Sequence, residues 1–362
     1  MASIEEKIQE LEDEIRNTPY NKATQHHIGK LKAKLAKLKD DIIKGHKGSS
    51  KGFFVKRSGD ATIGIVGYPS VGKSTLLNKL TNASSKIASY DFTTLDVIPG
   101  MMEYKGSKIQ LLDLPGIVKG AAQGKGHGKE VISVLRSVNL LILMVVATDI
   151  KKIKFIEHEL EETGIRLNQK PPNVQINETS KGGVHVEIVP TNSKISEETA
   201  LSIAREYFTN ADIIIRENID EVRFIDALSK NRVYIPAILV INKKDLVDTE
   251  QVMTIKKRVS NMDTLLISAK NEENLDFLKE KIFQRLGLIC IFVKPPRKDK
   301  SDEPMILRKN STVLEVCKKI HKEFITNFRS AQVWGSSVEY PGQKVGINHK
   351  LEDGDIIRIY SR

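Results

Sequence analysis

Gly67-Tyr68-Pro69-Ser70-Val71-Gly72-Lys73-Ser74 spaces two glycines, a lysine and a hydroxyl in the order G-x-x-x-x-G-K-[ST]. Glycine at both ends lets backbone N–H groups turn inward around an anion. A helix opening near Lys73 adds the positive end of its dipole. In that frame the Lys73 ammonium reaches the β- and γ-phosphates of a nucleoside triphosphate, and the Ser74 hydroxyl ligates Mg²⁺. Pro69, Ser70, Val71 and Thr75 complete the loop and the first helical turn. Downstream, Asp113-Leu114-Pro115-Gly116 offers a carboxylate that holds Mg²⁺ through a water, and a Gly116 N–H for the γ-phosphate. Asn242-Lys243-Lys244-Asp245 selects the base. Asp245 accepts from N1–H and the 2-amino group of guanine; adenine has neither donor and would strand the carboxylate. Asn242 braces the loop and approaches the base, while the Lys243 stem covers its face. Ser268-Ala269-Lys270 supplies a backbone N–H to guanine O6. In this order the four motifs specify GTP or GDP with Mg²⁺.

Between the first two motifs lies Tyr90-Asp91-Phe92-Thr93-Thr94-Leu95. A threonine here closes over Mg²⁺ and the γ-phosphate, Thr94 being favoured and Thr93 the alternative. Lys73, Thr94 and Gly116 thus make up the catalytic set, and Ser74, Thr94 and Asp113 the metal set. Gly120, Gly124, Gly126 and Gly128 follow and suit an order–disorder switch set by the γ-phosphate. The residue after Gly116 is Ile117. An isoleucine cannot orient water, so intrinsic turnover is expected to be slow, with a partner or a cation completing the stabilisation.

These motifs need a scaffold. Apolar runs at Thr62–Gly67, Ile109–Asp113, Leu140–Val146, Ile235–Ile241 and Thr264–Ile267 read as strands buried on both faces, which suits a parallel sheet flanked by helices. Ile4, Ile8, Leu11 and Ile15, then Ile28, Leu31, Leu35, Leu38 and Ile42, recur at helical spacing on either side of Pro19 and predict a helical hairpin. Lys30, Lys32, Lys34, Lys37 and Lys39 stud its second helix off the seam, either as a solvated face or as one that meets phosphates. From 151 to 230 the rhythm breaks into a small inserted α+β domain with a helix over Glu197–Tyr207. After Pro295-Pro296 a compact α+β tail follows. The expected organisation is a hairpin and linker at 1–59, a nucleotide-binding domain in two parts at 60–150 and 231–290, the insertion at 151–230, and the tail at 291–362.

With 57 Lys+Arg against 46 Asp+Glu the chain carries +11, and 40% apolar residues provide for real cores. Residues 1–57 hold 13 basic and 8 acidic side chains, and 291–362 hold 14 and 9, so each end carries +5. Basic ends suggest polyanion contacts, nucleic acid foremost. Two cysteines, Cys290 and Cys317, make no disulfide framework and fit a reducing compartment, the cytosol. No apolar run approaches the length of a membrane span.

Gly67–Ser74, Phe92-Thr93-Thr94-Leu95, Asp113–Ile117 and Gly124-Lys125-Gly126 resemble the Obg group of GTPases. Asn21-Lys22-Ala23-Thr24-Gln25-His26-His27, Gly164-Ile165-Arg166-Leu167-Asn168 and Val333-Trp334-Gly335 narrow the resemblance, along essentially the whole chain, to the developmentally regulated GTP-binding proteins. The resemblance implies a helix-turn-helix element, a P-loop GTPase domain, an insertion similar to the second domain of ribosomal protein S5, and a tail of TGS type with a β-grasp fold. It implies association with translating ribosomes and with a dedicated regulatory protein that stabilises the chain, as a monomer or a heterodimer. It also implies stimulation by K⁺. One departure is Ser70, where cation-activated relatives of the class carry Asn.

Three functions fit: a GTPase acting with ribosomes or RNA in translation, a ribosome-assembly or RNA-remodelling GTPase, and a non-enzymatic scaffold stabilised by nucleotide. Ile117 motivates the last.

Overall fold

The computed structural model describes residues 4–21, 24–44, 57–81, 98–114, 128–248, 262–295, 301 and 303–361. It divides into two compact units, Met1–Phe53 with His158–Tyr234, and Phe54–Glu157 with Ile235–Arg362.

The second unit is built on a six-stranded sheet. Its strands are β1 (Ala61–Gly67), β2 (Ile98–Tyr104), β3 (Ser107–Asp113), β4 (Leu140–Val146), β10 (Ala237–Asn242) and β11 (Thr264–Leu266). They lie in the order β11-β10-β4-β1-β3-β2. All pair in parallel except β2, which runs antiparallel to β3. Every residue of β1 and β10 is buried, as strands covered on both faces require. The parallel strands end together at Gly67, Asp113, Val146, Asn242 and Leu266. Loops leaving one strand edge converge, and that edge is where open α/β sheets bind ligands. The run read as one strand over Ile235–Ile241 is in fact two. Ile235 closes β9 (Val233–Ile235), which pairs with β5 (Ile165–Leu167), and β10 starts after Pro236. Proline has no N–H for a ladder, so it marks the change of sheet.

The tail forms a second sheet in this unit from β12 (Leu288–Val293), β13 (Met305–Arg308), β14 (Phe328–Trp334), β15 (Gln343–Val345) and β16 (Ile356–Ser361), in the order β13-β12-β16-β14-β15. A helix over Val313–Ile320 opens with a capping box, Thr312 N–H donating to Glu315 Oε2 at 2.8 Å. Its Val313, Val316 and Cys317 pack on Ile289, Ile291, Leu307, Ala331, Val333 and Ile357. Strand β12 crosses 290/291, and its alternate residues serve two cores. Leu288 and Cys290, with Ile306, face away from that helix and join the core of the nucleotide sheet. Cys290 Sγ donates to the Lys105 carbonyl at the tip of the β2–β3 hairpin, 3.3 Å away, and burial pushes its thiol up to about 11.

The first unit joins the hairpin to the insertion. Helices Ile4–Asn17 and Gln25–Lys44 are linked by a turn in which Asn21 N–H donates to Thr24 Oγ1 and Thr24 N–H to Asn21 Oδ1, both at 3.0 Å. The second helix lies on helix Glu197–Tyr207, and Gly29 permits the approach: a Cβ there would stand 3.0 Å from Thr199 Cγ2. Behind that helix is the three-stranded sheet β6 (Val174–Glu178), β8 (Ala211–Ile215), β7 (Val184–Ile188), with Ala33 of the hairpin in its core. A buried ionic cluster adds to the joint: Arg232 pairs with Asp40 at 2.7 Å and with Asp226 at 2.8 Å, and Arg166 holds Asp226 at 2.5 Å.

Four of the five lysines in the run meet groups of the fold, while Lys34 is exposed. Lys30 and Lys32 face Glu206 and Glu221 at 3.7 and 3.8 Å, Lys37 donates to the Glu206 carbonyl at 2.9 Å, and Lys39 pairs with Glu12 and Glu162. Residues 158–234 carry 9 basic and 13 acidic side chains, so an acidic insertion packs against the basic helix. Among the described residues no helix is long and apolar enough to cross a membrane.

Candidate nucleotide-binding site

β1 delivers Gly67 to the sheet edge, and the loop turns there into helix Lys73–Leu80, anchored by buried Leu76, Leu77 and Leu80. Two glycines are required by geometry. A Cβ on Gly67 would stand 2.3 Å from the Met144 carbonyl oxygen. Gly72 has φ 96°, and a Cβ there would stand 2.5 Å from Asn242 Nδ2. Lys73 Nζ donates to the carbonyls of Gly67 (3.1 Å) and Tyr68 (3.2 Å), which holds the ammonium inside the curve of the loop. Burial lowers its pKa, and the nearby Asp113 carboxylate opposes that shift. Pro69, Ser70, Ser74 and Thr75 are exposed along the loop and first turn, while Val71 is buried beneath them.

Ser74 Oγ donates to Asp113 Oδ2 at 2.6 Å, so the structure brings together the two expected metal-side groups, one from each motif. A hydroxyl and a carboxylate at the mouth of a phosphate loop suit Mg²⁺, which takes one or two protein oxygens and completes its shell with phosphate and water.

Asn242 ends β10 and is 3% exposed. Its Nδ2 donates to the Val71 carbonyl and its Oδ1 accepts from Ala269 N–H, both at 2.9 Å. One amide thus clamps the phosphate loop to the Ser268-Ala269-Lys270 loop, and the Ala269 N–H is committed to it. Lys243 adopts φ 61° and turns the chain into the short 3₁₀ helix Lys244–Leu246, leaving Asp245 exposed. Ser268 Oγ donates to Asp245 Oδ1 at 2.6 Å and holds that carboxyl below its ordinary value, with Lys270 and Lys243 adding to the effect. Asp245 is therefore ionised and aimed as a fixed acceptor.

Lys73, Ser74, Asp113, Asn242, Asp245, Ser268 and Ala269 are gathered at one sheet edge. Thr94, Thr93, Gly116, Ile117, Gly120, Gly124 and Gly126 lie outside the described residues. Lys152 was not singled out from sequence. Its Nζ stands 4.8 Å over the ring of Tyr68 in the phosphate loop and 2.6 Å from Asp149. A lone lysine in a Lys-rich turn gives no local signal of that contact.

Residues 62–178 match the family described as 50S ribosome-binding GTPase, residues 181–288 the C-terminal region of that domain, and residues 289–361 the TGS domain. An uncharacterised GTP-binding protein of Methanocaldococcus jannaschii is 52% identical over 364 residues, covering 99% of this chain and 93% of its own. Developmentally-regulated G-protein 3 of Arabidopsis thaliana is 44% identical over 371 residues, 100% of both chains. Developmentally-regulated GTP-binding protein 2 of Homo sapiens is 43% identical over 367 residues, 99% of this chain and 100% of its own.

Proposed function

The chain belongs to the developmentally regulated GTP-binding protein family, and we propose that it is a slow GTP-hydrolysing switch that acts with ribosomes or RNA in translation. The observation that carries the switch is the Asn242 clamp, which ties guanine selection to phosphate binding through one side chain. Asp245 reads the base, Lys73 draws the β- and γ-phosphates into the loop, and Ser74 with Asp113 holds the metal. Mg²⁺, when bound, neutralises charge building on the phosphoryl oxygens. Ile117, beside Gly116, orients no water, so an outside group supplies that stabilisation. K⁺ is the simplest candidate and a ribosome-bound site the other; a dedicated regulatory partner would hold the chain in its competent form.

The ribosome reading rests on charge. The unit that binds nucleotide carries 37 basic and 25 acidic residues, or +12, and the hairpin–insertion unit carries 20 and 21, or −1. Phosphate contacts are therefore expected from the tail and the nucleotide domain.

The test is GTP turnover at matched ionic strength in K⁺ and in Na⁺, with and without ribosomes, beside sedimentation with ribosomes over a salt series. Turnover that rises with K⁺ or ribosomes, and binding that weakens with salt, support the reading. Turnover flat and near zero in every condition would leave a nucleotide-stabilised scaffold, and binding to immature subunits alone would make it an assembly factor.

A further inference from the structure

Ser268-Ala269-Lys270 begins a tight reversal of the chain. Glu273 N–H donates to the Ser268 carbonyl at 3.1 Å, and Ser268 N–H to the Glu273 carbonyl at 3.3 Å. Ala269, Lys270, Asn271 and Glu272 close the turn between them. Inside it, Asn271 N–H donates at 3.3 Å to Ser268 Oγ, the hydroxyl that holds Asp245. The shape of the turn thus fixes Ser268, which aims Asp245, and Ala269, which meets Asn242.

The turn is not relaxed. Glu272 has φ 60°, and Asn274, which caps helix Leu275–Arg285, has φ 62°. Asparagine tolerates the left-handed region, but the β-carbon of a glutamate crowds the backbone there. A turn held in such a conformation stays shut only while its surroundings hold it. Asn274 Nδ2 fixes one end by donating to the Leu266 carbonyl at 2.8 Å. Two ion pairs fix the rest. Lys79, in the helix that the phosphate loop opens, pairs with Glu272. Lys244, inside Asn242-Lys243-Lys244-Asp245, pairs with Glu273 at 3.0 Å. The phosphate loop's helix and the base-selecting motif therefore each send one lysine to adjacent glutamates of the turn. These four side chains are 37% to 61% exposed, so both ties are open to water and salt.

We propose that Glu272 and Glu273 are positioning residues that set the rate of GDP release. They keep the base-side turn closed against the strain in its own backbone. Neither belongs to the four nucleotide motifs; both act through Ser268 and Ala269. The proposal rests on the guanine-nucleotide reading and assigns that site the contacts that limit its emptying.

The full chain is loaded with N-methylanthraniloyl GDP and Mg²⁺, and release is timed after a chase of excess GDP. At low salt Glu272→Gln and Glu273→Gln each speed release about 1.5- to 5-fold, and the double variant about 2- to 30-fold. At about 1 M salt, where the Debye length is roughly 3 Å, wild type comes within about twofold of the double variant. The affinity of both variants for inorganic triphosphate, which has no base, and their melting temperatures stay at wild-type values. Exchanging the charges of one pair, Lys79→Glu with Glu272→Lys, returns release to within about threefold of wild type, whereas Glu272→Lys alone is faster. Three results overturn the proposal: a double variant that releases at the wild-type rate at low salt, triphosphate affinity or melting that falls in step with release, or a charge exchange no slower than Glu272→Lys alone. With wild-type GDP binding intact, each of these sinks the tie and leaves the guanine-nucleotide reading standing. A wild-type chain that binds no labelled GDP removes both.

Discussion

Asn242→Ala removes the clamp. The substitution deletes two hydrogen bonds of 2.9 Å from a side chain that is 3% exposed. It leaves the Val71 carbonyl and the Ala269 N–H without that partner. Each such loss costs about 1–3 kcal/mol when the group stays buried, and water entering the space recovers part of it. About 2–4 kcal/mol overall is a reasonable magnitude, or a drop of roughly 5–15 °C in melting temperature for a unit of this size. If the same energy is needed to order the phosphate loop, GDP affinity falls about 30- to 1000-fold. The informative assay is calorimetric titration with two ligands, GDP·Mg²⁺ and inorganic triphosphate, which has no base. A clamp predicts that both weaken, because the Val71 carbonyl belongs to the phosphate loop. Triphosphate affinity that stays at the wild-type level while GDP affinity collapses would show that Asn242 acts at the base alone, and the clamp argument would be wrong.

Gly72→Ala should abolish nucleotide binding by a related route: it forces a Cβ against Asn242 Nδ2 at a backbone angle, φ 96°, that costs an alanine about 1–2 kcal/mol before any clash. Equilibrium dialysis with labelled GDP checks it, and near-normal affinity would mean that the loop relaxes freely. Asp245→Asn keeps an acceptor for Ser268 Oγ and should preserve the fold while moving preference from guanine to xanthine nucleotides by about 10- to 100-fold, read by competition between GDP and XDP. At the seam between the nucleotide sheet and the tail, the Lys105 ammonium and the Tyr104 hydroxyl hold the Glu280 carboxyl at about 2, below its ordinary 4.5. Because the folded value is depressed, the stabilisation is present above pH 4.5 and is lost as pH falls towards 2. Solvent screening limits it to about 1 kcal/mol, so urea melts of wild type and Glu280→Gln should differ by that much at pH 7 and converge below pH 4.5. A constant gap down to pH 3 would refute the assignment.

The nucleotide site was legible because each of its motifs is a short local phrase after an apolar strand. Burial on both faces makes β1, β4 and β10 continuous hydrophobic runs, and their ends locate the loops. Strand β2 gave no such sign. It reads Ile98-Pro99-Gly100-Met101-Met102-Glu103-Tyr104, with a proline and a glycine in its first half. Those residues are tolerated because β2 is the sheet's edge and hydrogen-bonds only to β3. The Asn242 clamp was half legible: the motif names the asparagine, but its partners lie 171 and 27 residues away in sequence. The split at Pro236 turns on one missing N–H, which a hydropathy pattern does not register.

Charge was the least legible feature, for a physical reason. A lysine stem reaches several ångströms from its backbone, so what a lysine meets is decided by the element packed beside it. The five lysines of the hairpin differ little from those of the tail when read along the chain, and each end carries +5. In the fold they part company. Lys30, Lys32 and Lys39 find carboxylates on an insertion whose acidic excess, 13 against 9, could not be assigned to them from sequence order. Pairs this exposed add little stability, but they cancel the field that a polyanion would sense. Lys344 and Arg358 instead lie on β15 and β16, strands that hold no acidic residue. Net charge by sequence segment therefore misplaces the surplus. Counted by compact unit it moves from both ends to the nucleotide-binding unit alone, so a salt-dependent polyanion contact is to be tested on that unit and not on the hairpin.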